Sequence, residues 1–144
     1  MHTIEIKTVD TVPELRALMA VCEKVFDSPY VADDTYLEEM LNQSHGVYLG
    51  AYDDKRLVGG VVAFALVPLH GTKELYLYDI AVHPEYQRQG IGAMLIAATK
   101  EEAIKRDIPV VFVEAEADDD GAVAFYRAIG ATELSVTHFT ITTL

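Results

Sequence analysis

The sequence contains little of several features that define large classes of protein. It has a single cysteine, Cys22, which excludes an internal disulfide and a cysteine-based zinc site and is expected to be a small core residue. No metal site is predicted. No apolar run approaches the ~18 residues that a transmembrane helix needs. The first ten residues have neither the basic nor the apolar region of a signal peptide, so we expect a cytoplasmic protein without a membrane partner.

Positive charge is also scarce. The 144 residues include 11 lysines and arginines against 23 acidic residues, which gives a formal net charge of −12. A chain this acidic repels phosphates, so no nucleic-acid partner is expected. A cationic substrate fits the charge, although the acidity could equally serve only solubility. The length fits one domain, 1–144, with a sizeable core.

Apolar periodicity and turn signals predict an α/β chain with a single mixed sheet. Alternating residues predict a strand over 2–9, and Thr11 or Asp10 is expected to cap a helix with Pro13 in its first turn. Asp33 or Asp34 is expected to cap the next helix. The other predicted elements are strands over 46–54, 56–68, 74–82, 110–117 and 133–144 and helices over 35–43, 90–106 and 121–129.

The turn that leads into the helix over 90–106 has the composition of an anion site. A helix N terminus exposes amide groups without an intrahelical acceptor, and Gly90 and Gly92 would let a phosphate approach them. Arg88 adds a positive charge. Leu95 stands where a dinucleotide fingerprint needs a third glycine, and no Gly-Lys-Ser/Thr sequence follows. The turn therefore predicts a pyrophosphate site, with a plain strand-to-helix turn as the alternative.

A wider pattern resembles a known family. Gln87-x-x-Gly90-x-Gly92, preceded by 81–84 (AVHP), is similar to the acetyl-CoA motif of the GCN5-related N-acetyltransferases (GNAT), and 125–130 (FYRAIG) resembles a later element of that family. The order of strands and helices also resembles the family over essentially the whole chain. Five segments together resemble its type I aminoglycoside 3-N-acetyltransferases: 33–41, 57–66, 76–82, 111–115 and 136–141.

The resemblance implies the GNAT acyl-CoA N-acyltransferase fold, with about four helices around the sheet, and direct acetyl transfer from acetyl-CoA to an amine. It implies that pantetheine lies between the fourth and fifth strands and bonds the backbone of Ile80 and Val82. Asp119 stands where the family often carries Asn. The implied cofactor-binding residues are Ile80, Ala81, Val82, Gln87, Arg88, Gln89, Gly90, Ile91, Gly92, Ala93, Asp119 and Tyr126.

Two residues are predicted to perform the chemistry. Asp79 interrupts an apolar strand, which is costly unless it is solvated or paired, so we expect it to open onto a cleft as a base or substrate clamp. Its alternative is a structural aspartate that caps neighbouring backbone. Tyr126 would protonate the leaving thiolate, and its alternative is a packed aromatic.

Acidic residues after the fifth predicted strand could bind a polycation. Alternation would put Glu114 and Glu116 on one face, and Asp118 follows them. A solvated edge with a helix-capping cluster is equally compatible. His138 is predicted as a second base or substrate contact, or as a structural histidine. We expect His83, beside the glycine turn, to be exposed.

The predicted function is an acetyl-CoA-dependent N-acetyltransferase acting on a cationic small molecule, with the 3-amino group of an aminoglycoside antibiotic as the acceptor that the resemblance implies. Alternatives are a protein, peptide or polyamine acetyltransferase and a non-catalytic acyl-CoA-sensing domain. The alternating final segment could pair across a two-fold axis in a homodimer.

Overall fold

The structure is a computed structural model that describes residues 3–144. The described chain divides into two compact units, one that ends at Glu114 and one over Ala115–Leu144. In chain order the elements are β1 (Ile4–Thr8), α1 (Val12–Phe26), α2 (Asp34–Asn42), β2 (Gly46–Asp53), β3 (Arg56–Leu66), β4 (Glu74–Val82), a short 3₁₀ helix (Pro84–Tyr86), α3 (Ile91–Lys105), β5 (Val110–Val113) and α4 (Asp120–Ala128). The strand predicted over 2–9 has its first position, His2, outside the described residues.

The first unit contains the whole sheet. Its strands follow the order β1-β2-β3-β4-β5, with antiparallel pairs throughout except for the parallel pair of β4 and β5. The predicted hairpin between β2 and β3 closes at Asp54, whose φ of 54° lies in the left-handed region. The mixed sheet predicted from the sequence is confirmed, and its parallel pair occupies one end.

Each face of the sheet has its own apolar core. Leu75, Leu77, Ile91 and Leu95 belong to the core that β4 forms with α3. Leu18, Cys22 and Leu37 belong to the other core, under α1 and α2. At Gly60 an added Cβ would lie 2.6 Å from Leu18 Cδ1, so the missing side chain lets α1 pack closely on β3.

The helix caps were predicted correctly. The Thr11 hydroxyl accepts a hydrogen bond from the Glu14 amide, and the Asp33 carboxylate accepts one from the Tyr36 amide. Helical spacing in the sequence predicts a buried stripe of Ile91, Leu95, Ala98 and Ile104 on α3, and this prediction is only partly right. Ile91 and Leu95 are buried, but Ile104 is 72% exposed because the last turns of the helix bury Thr99 and Ala103 instead.

Two strand predictions were wrong. β5 ends at Val113 rather than 117, because its pairing with β4 ends at the Leu77–Val113 pair. Residues 133–144 form no strand among the described residues, although their apolar and polar residues alternate. Alternation predicts which residues a strand would bury, but a strand forms only where a neighbouring strand accepts its hydrogen bonds.

The second unit contains α4 and the residues that follow it, which form no helix or strand. The Asp119 carboxylate accepts a hydrogen bond from the Ala122 amide and so caps α4. Gly130, with a φ of 83°, follows the helix as the sequence predicted. Within residues 3–144, no helix combines the length and the apolar content needed to cross a bilayer.

Candidate active site

The N terminus of α3 leaves its first amide groups open. The first intrahelical hydrogen bond runs from the Met94 amide to the Gly90 carbonyl, at 3.1 Å, so the amides of Ile91, Gly92 and Ala93 precede it. No side chain of the described residues caps this end, and its first turn contains no acidic residue. Gly90 has a φ of 84°, and a Cβ there would meet nothing within 4 Å. The amides of Ile91, Gly92 and Ala93 therefore have no hydrogen-bond acceptor among the described residues, and nothing crowds Gly90 beside them.

The preceding turn supports this arrangement. The Gln87 side-chain amide donates to the Val82 carbonyl at 2.9 Å, and that of Gln89 donates to the Glu85 carbonyl at 3.4 Å. Both glutamines are predicted to bind the cofactor. Their side chains stabilise the turn by donating to the backbone that precedes it, at the end of β4 and in the 3₁₀ helix. Arg88 is exposed and has a φ of 65°. What the turn presents outward is the Arg88 charge and the amide groups of the helix.

An opening between β4 and β5 lies directly before this turn. The two strands pair from Glu74 to Leu77, whereas β4 continues to Val82. Among the described residues, no strand pairs with the β5 side of β4 beyond Leu77. Ile80 and Val82 direct their side chains to the α3 core, so a ligand in the opening would meet their backbone. The sequence predicted such a gap, but the Val82 carbonyl is engaged by Gln87.

A β-bulge at the same point redirects β4. Val62 pairs with Asp79 and Ala63 pairs with Leu77, so Tyr78 is an extra residue in the strand. Before the bulge the odd-numbered residues face α3, and after it Ala81 packs in the core under α1. Asp79 therefore lies on the α1 side of the sheet.

The Asp79 carboxylate meets a hydroxyl rather than a backbone cap. The Tyr30 hydroxyl donates to Asp79 Oδ1 at 3.3 Å. Burial raises the pKa of Asp79, and the hydrogen bond from Tyr30 partly offsets that rise. A carboxylate whose pKa is raised toward neutrality is a better proton acceptor than an exposed one.

The cysteine close to this carboxylate is not a nucleophile. Cys22 is 2% exposed, and burial together with the charge of Asp79 raises its pKa to about 12. The thiol is therefore protonated at neutral pH. The sequence prediction that no acyl-cysteine intermediate forms is compatible with this environment.

Aromatic rings form a row across the α1 side of the sheet. Tyr48 contacts Phe64, Phe64 contacts Tyr78, Tyr78 contacts Tyr76, and Tyr76 stacks on Phe112 with centroids 4.7 Å apart. Tyr78 is 62% exposed.

Glu114 lies at the β5 end of this row. The Tyr76 hydroxyl donates to the Glu114 carboxylate at 2.7 Å, and this hydrogen bond raises the pKa of Tyr76 to about 12. Among the described residues neither Asp79 nor Glu114 forms an ion pair with lysine or arginine. The row thus has an unneutralised carboxylate beside it at Asp79 and another at Glu114.

The remaining predicted residues lie in the second unit. Tyr126 is on α4, half-buried beside Phe125, and burial together with the charge of Asp119 raises its pKa. Asp119 caps the helix, which is the role that the sequence left open for this acidic cluster. Glu116 and Asp118 form the turn before α4, so the shared strand face predicted for Glu114 and Glu116 was wrong. His138 Nε2 lies 3.1 Å from Thr140 Oγ1.

His83 was predicted incorrectly as exposed. It is 8% exposed, and its Nδ1 accepts a hydrogen bond from the Glu85 amide, so it caps the 3₁₀ helix. A cleft of about 200 Å³ lies elsewhere, between β1, α2, β2 and α3, and contains none of the predicted site residues. Asp79 lies instead on the part of β4 that continues beyond its pairing with β5.

Sequence reasoning missed Tyr30 and the bulge. Tyr30 lies 49 residues before Asp79 in a connection with no repeating pattern, so only folding brings the two together. The sequence Tyr-Leu-Tyr-Asp over 76–79 contained one usable signal. Side chains along a strand alternate between its two faces, and Tyr76 has an even number whereas Asp79 has an odd one. Both can therefore face the same side of β4 only if an extra residue intervenes.

The mixed sheet with its open helix end is the acyl-CoA N-acyltransferase fold. A model described as the acetyltransferase (GNAT) family matches residues 12–131, and the chain belongs to this family. Enzymes of the family use acetyl-CoA. A solved structure with CoA bound, an aminoglycoside N-acetyltransferase AAC(6')-Iy, has a TM-score of 0.84 at 17% identity, which supports the fold alone.

Similar proteins act on two different kinds of acceptor. An aminoglycoside acetyltransferase from an uncultured soil metagenomic sample, solved with sisomicin, is 31% identical with a TM-score of 0.93, covering 98% of this chain and 97% of its own. The N-alpha-acetyltransferase RimI of Mycobacterium tuberculosis is 31% identical over 134 residues, covering 85% of this chain and 81% of its own.

A third relative is the ribosomal protein bS18-alanine N-acetyltransferase of Escherichia coli K12. It is 35% identical over 78 residues, which is 54% of this chain and 52% of that protein. The chain thus spans about half the length of this relative.

The site fits acetyl-CoA on its own geometry. Three open amides at the N terminus of α3, the charge of Arg88 and the absence of a carboxylate in the first turn suit a diphosphate. The unpaired side of β4 suits an extended chain that carries amide groups. Ala81 is buried under α1, so it would contribute through its backbone only.

Proposed function

We propose that the protein is an N-acetyltransferase that moves the acetyl group of acetyl-CoA to a primary amine of a cationic small molecule. The observation that carries the proposal is the uncapped N terminus of α3 next to the unpaired side of β4, with Asp79 on the adjacent face. The cytoplasmic location predicted from the sequence stays a prediction and belongs to the same proposal.

The proposed chemistry moves protons at both the nitrogen and the sulfur. The acceptor ammonium gives a proton to Asp79, and the neutral amine attacks the thioester carbonyl. A C–N bond forms as the C–S bond breaks, and the departing thiolate takes a proton from the Tyr126 hydroxyl. The second proton, which the amide nitrogen loses, restores that hydroxyl. Burial raises the pKa of Tyr126, so its hydroxyl is protonated at neutral pH when the thiolate forms.

The acceptor we favour is an aminoglycoside. Asp79 and Glu114 lack an ion pair with lysine or arginine among the described residues, and the exposed Tyr78 ring contacts Tyr76, which bonds Glu114. The net charge of −12 would add long-range attraction for a polycation. Glu116, Asp118 and His138 stay candidates for further substrate contacts, and raising the salt concentration should raise KM for a polycation if this acidic surface binds it.

The decisive experiment is a turnover assay with acetyl-CoA and a panel of aminoglycosides, polyamines and peptides, read by release of free thiol. We expect turnover with aminoglycosides, and a loss on the order of 100-fold in kcat for Asp79→Asn and Tyr126→Phe. Full turnover by both variants would refute the assignment. CoA binding without turnover of any acceptor would favour the acyl-CoA-sensing alternative.

The position of acetylation needs its own measurement. The resemblance implies the 3-amino group, while the relatives whose names give a position, at 17% to 20% identity, are 6'-N-acetyltransferases. NMR of the acetylated product distinguishes the two positions, and acetylation at the 6'-amino group alone would contradict the 3-amino prediction.

A second candidate is N-terminal acetylation of a protein. The 31% identity to RimI over 85% of this chain favours it. A peptide that begins with alanine should then be acetylated at least as efficiently as any aminoglycoside. A peptide blocked at its N terminus is the matched control, because it retains every other group.

We also propose a homodimer through the segment after α4. Leu134, Phe139 and Ile141 are 83%, 82% and 88% exposed, and their alternating segment would pair with its copy across a two-fold axis. Light scattering should give a dimer mass for the protein and a monomer mass for Phe139→Asp. Leu69→Asp, at a fully exposed leucine, is the matched control. A monomeric protein would refute the proposal.

A further inference from the structure

We propose that Tyr30 is a positioning residue for acetyl transfer: its hydroxyl holds the Asp79 carboxylate in an ionised, proton-accepting state. The inference rests on the proposed function, in which Asp79 takes a proton from the acceptor amine. Nothing in the motifs around the glycine turn points to Tyr30, which lies in the connection between α1 and α2.

The geometry fixes the two groups relative to each other. Tyr30 packs against the apolar core under α1, and its hydroxyl donates to Asp79 Oδ1 at 3.3 Å in a partly buried setting. The bulge at Tyr78 sets Asp79 on this side of the sheet. Because the core and the bulge hold both residues, the hydrogen bond restrains the carboxylate, whose own torsion is otherwise broad.

Among the described residues, the Tyr30 hydroxyl is the one group whose contact shifts the pKa of Asp79 besides burial. The charge of Asp79 in turn acts on three titratable groups around it, Cys22 on α1, Tyr30 in the connection and Tyr76 on β4 itself. The partner of Asp79 on β3, Val62, is apolar. Burial raises the pKa of Asp79, and the hydrogen bond from Tyr30 lowers it. Of these groups, the Tyr30 hydroxyl is therefore the one that stabilises the charged form.

Removal of the Tyr30 hydroxyl should shift the pH dependence of kcat/KM in one direction. In Tyr30→Phe the burial effect is no longer offset, so the pKa of Asp79 rises further. The acid limb of the kcat/KM profile, which requires ionised Asp79, should move to higher pH, with activity largely recovered at alkaline pH. Because the acceptor is the same for both proteins, its own ionisation contributes equally to the two profiles.

Tyr52→Phe is the matched control. Tyr52 lies in the same core and also donates to a carboxylate, that of Glu14 at 2.5 Å, on the first helix rather than at Asp79. We expect it to lower stability without moving the acid limb. A fluorinated tyrosine at position 30, which is a stronger donor, should move the limb in the direction opposite to Tyr30→Phe.

A second measurement is independent of turnover. Carbon-13 NMR of the Asp79 carboxyl should report a higher titration midpoint in Tyr30→Phe than in the unmodified protein and no change in Tyr52→Phe. If the midpoint and the acid limb both stay in place, the role of Tyr30 is refuted. If Asp79→Asn keeps full turnover, the proposed function fails instead. The NMR titration still tests whether the Tyr30 hydroxyl lowers the pKa of Asp79.

Discussion

The helices α1 and α3 differ in whether a side chain caps the backbone amides at their N termini. At α1 the Thr11 hydroxyl caps the Glu14 amide, and the Glu14 carboxylate in turn accepts hydrogen bonds from Thr11 and Tyr52. At α3 the corresponding positions are Gly90 and Ala93, and no described side chain caps the helix. Side chains of the protein therefore cap the N terminus of α1, whereas the N-terminal amides of α3 stay available to an anion. The end of α1 thus contributes to stability, and the end of α3 contributes to binding.

Ala93→Glu would convert the end of α3 into a copy of the end of α1. Ala93 is the third helical residue, as Glu14 is in α1, and it is exposed. A carboxylate there suits the helix dipole but repels a diphosphate, so we expect an affinity loss for CoA on the order of 100-fold. Isothermal calorimetry with CoA measures it.

Ala97→Glu, one turn further along the same helix and also exposed, controls for added charge. Ala93→Gln controls for side-chain volume. Unchanged CoA affinity in Ala93→Glu would mean that the diphosphate does not use the N terminus of α3.

Glu14→Ala would open the closed end of α1. It removes the acceptor of the hydroxyl of Tyr52, a residue that is 6% exposed, and we expect a loss of about 2 kcal/mol in the free energy of unfolding at pH 7. The pKa of Glu14 is lowered from 4.5, chiefly by the Tyr52 hydrogen bond, so its stabilisation is present above pH 4.5 and is lost as the pH falls through the folded-state value.

Urea unfolding at several pH values tests this prediction. The stability curves of Glu14→Ala and the unmodified protein should converge at acid pH. A constant difference between the two curves would show that the effect is packing rather than ionisation.

Asp79→Asn should have the opposite pH dependence. Burial raises the folded-state pKa of Asp79 above its ordinary 3.8, so the folded state binds the proton more tightly than the unfolded state does. The unmodified protein therefore loses stability as the pH rises from about 3.8 through the raised value, and the variant should not. We expect Asp79→Asn to be at least as stable as the unmodified protein at pH 7, and a less stable variant would contradict the account.

The smallest expected effects are changes in the free energy of unfolding at two glycines, one at the N terminus of α3 and one at the N terminus of α4. Gly90→Ala places a side chain at a φ of 84°, and we expect a cost of about 1 kcal/mol. Gly121, at the second position of α4, has no such φ, and a Cβ there would meet only Asp119 Oδ1 at 3.8 Å. Gly121→Ala should stabilise by roughly 0.5 kcal/mol, and thermal unfolding distinguishes the two signs.

The sequence predicted most of what depends on local pattern. Thr11, Asp33 and Gly90 were correctly assigned to helix ends, because capping needs only neighbouring residues. What it missed depends on partners that are distant in the chain. The end of β5 is set by its pairing with β4, the failure of 133–144 to form a strand reflects a missing partner, and the Tyr30–Asp79 contact spans 49 residues.

Because of the bulge at Tyr78, β4 can bind one ligand through its backbone edge and another through the Asp79 side chain. Its backbone edge beyond Leu77 offers amide groups whose chemistry is the same whatever side chains the strand carries, while Asp79 reaches the opposite layer through a single extra residue. A substitution on the α1 side of the sheet can therefore alter which acceptor binds and leave unchanged the backbone edge that would hold the thioester carrier.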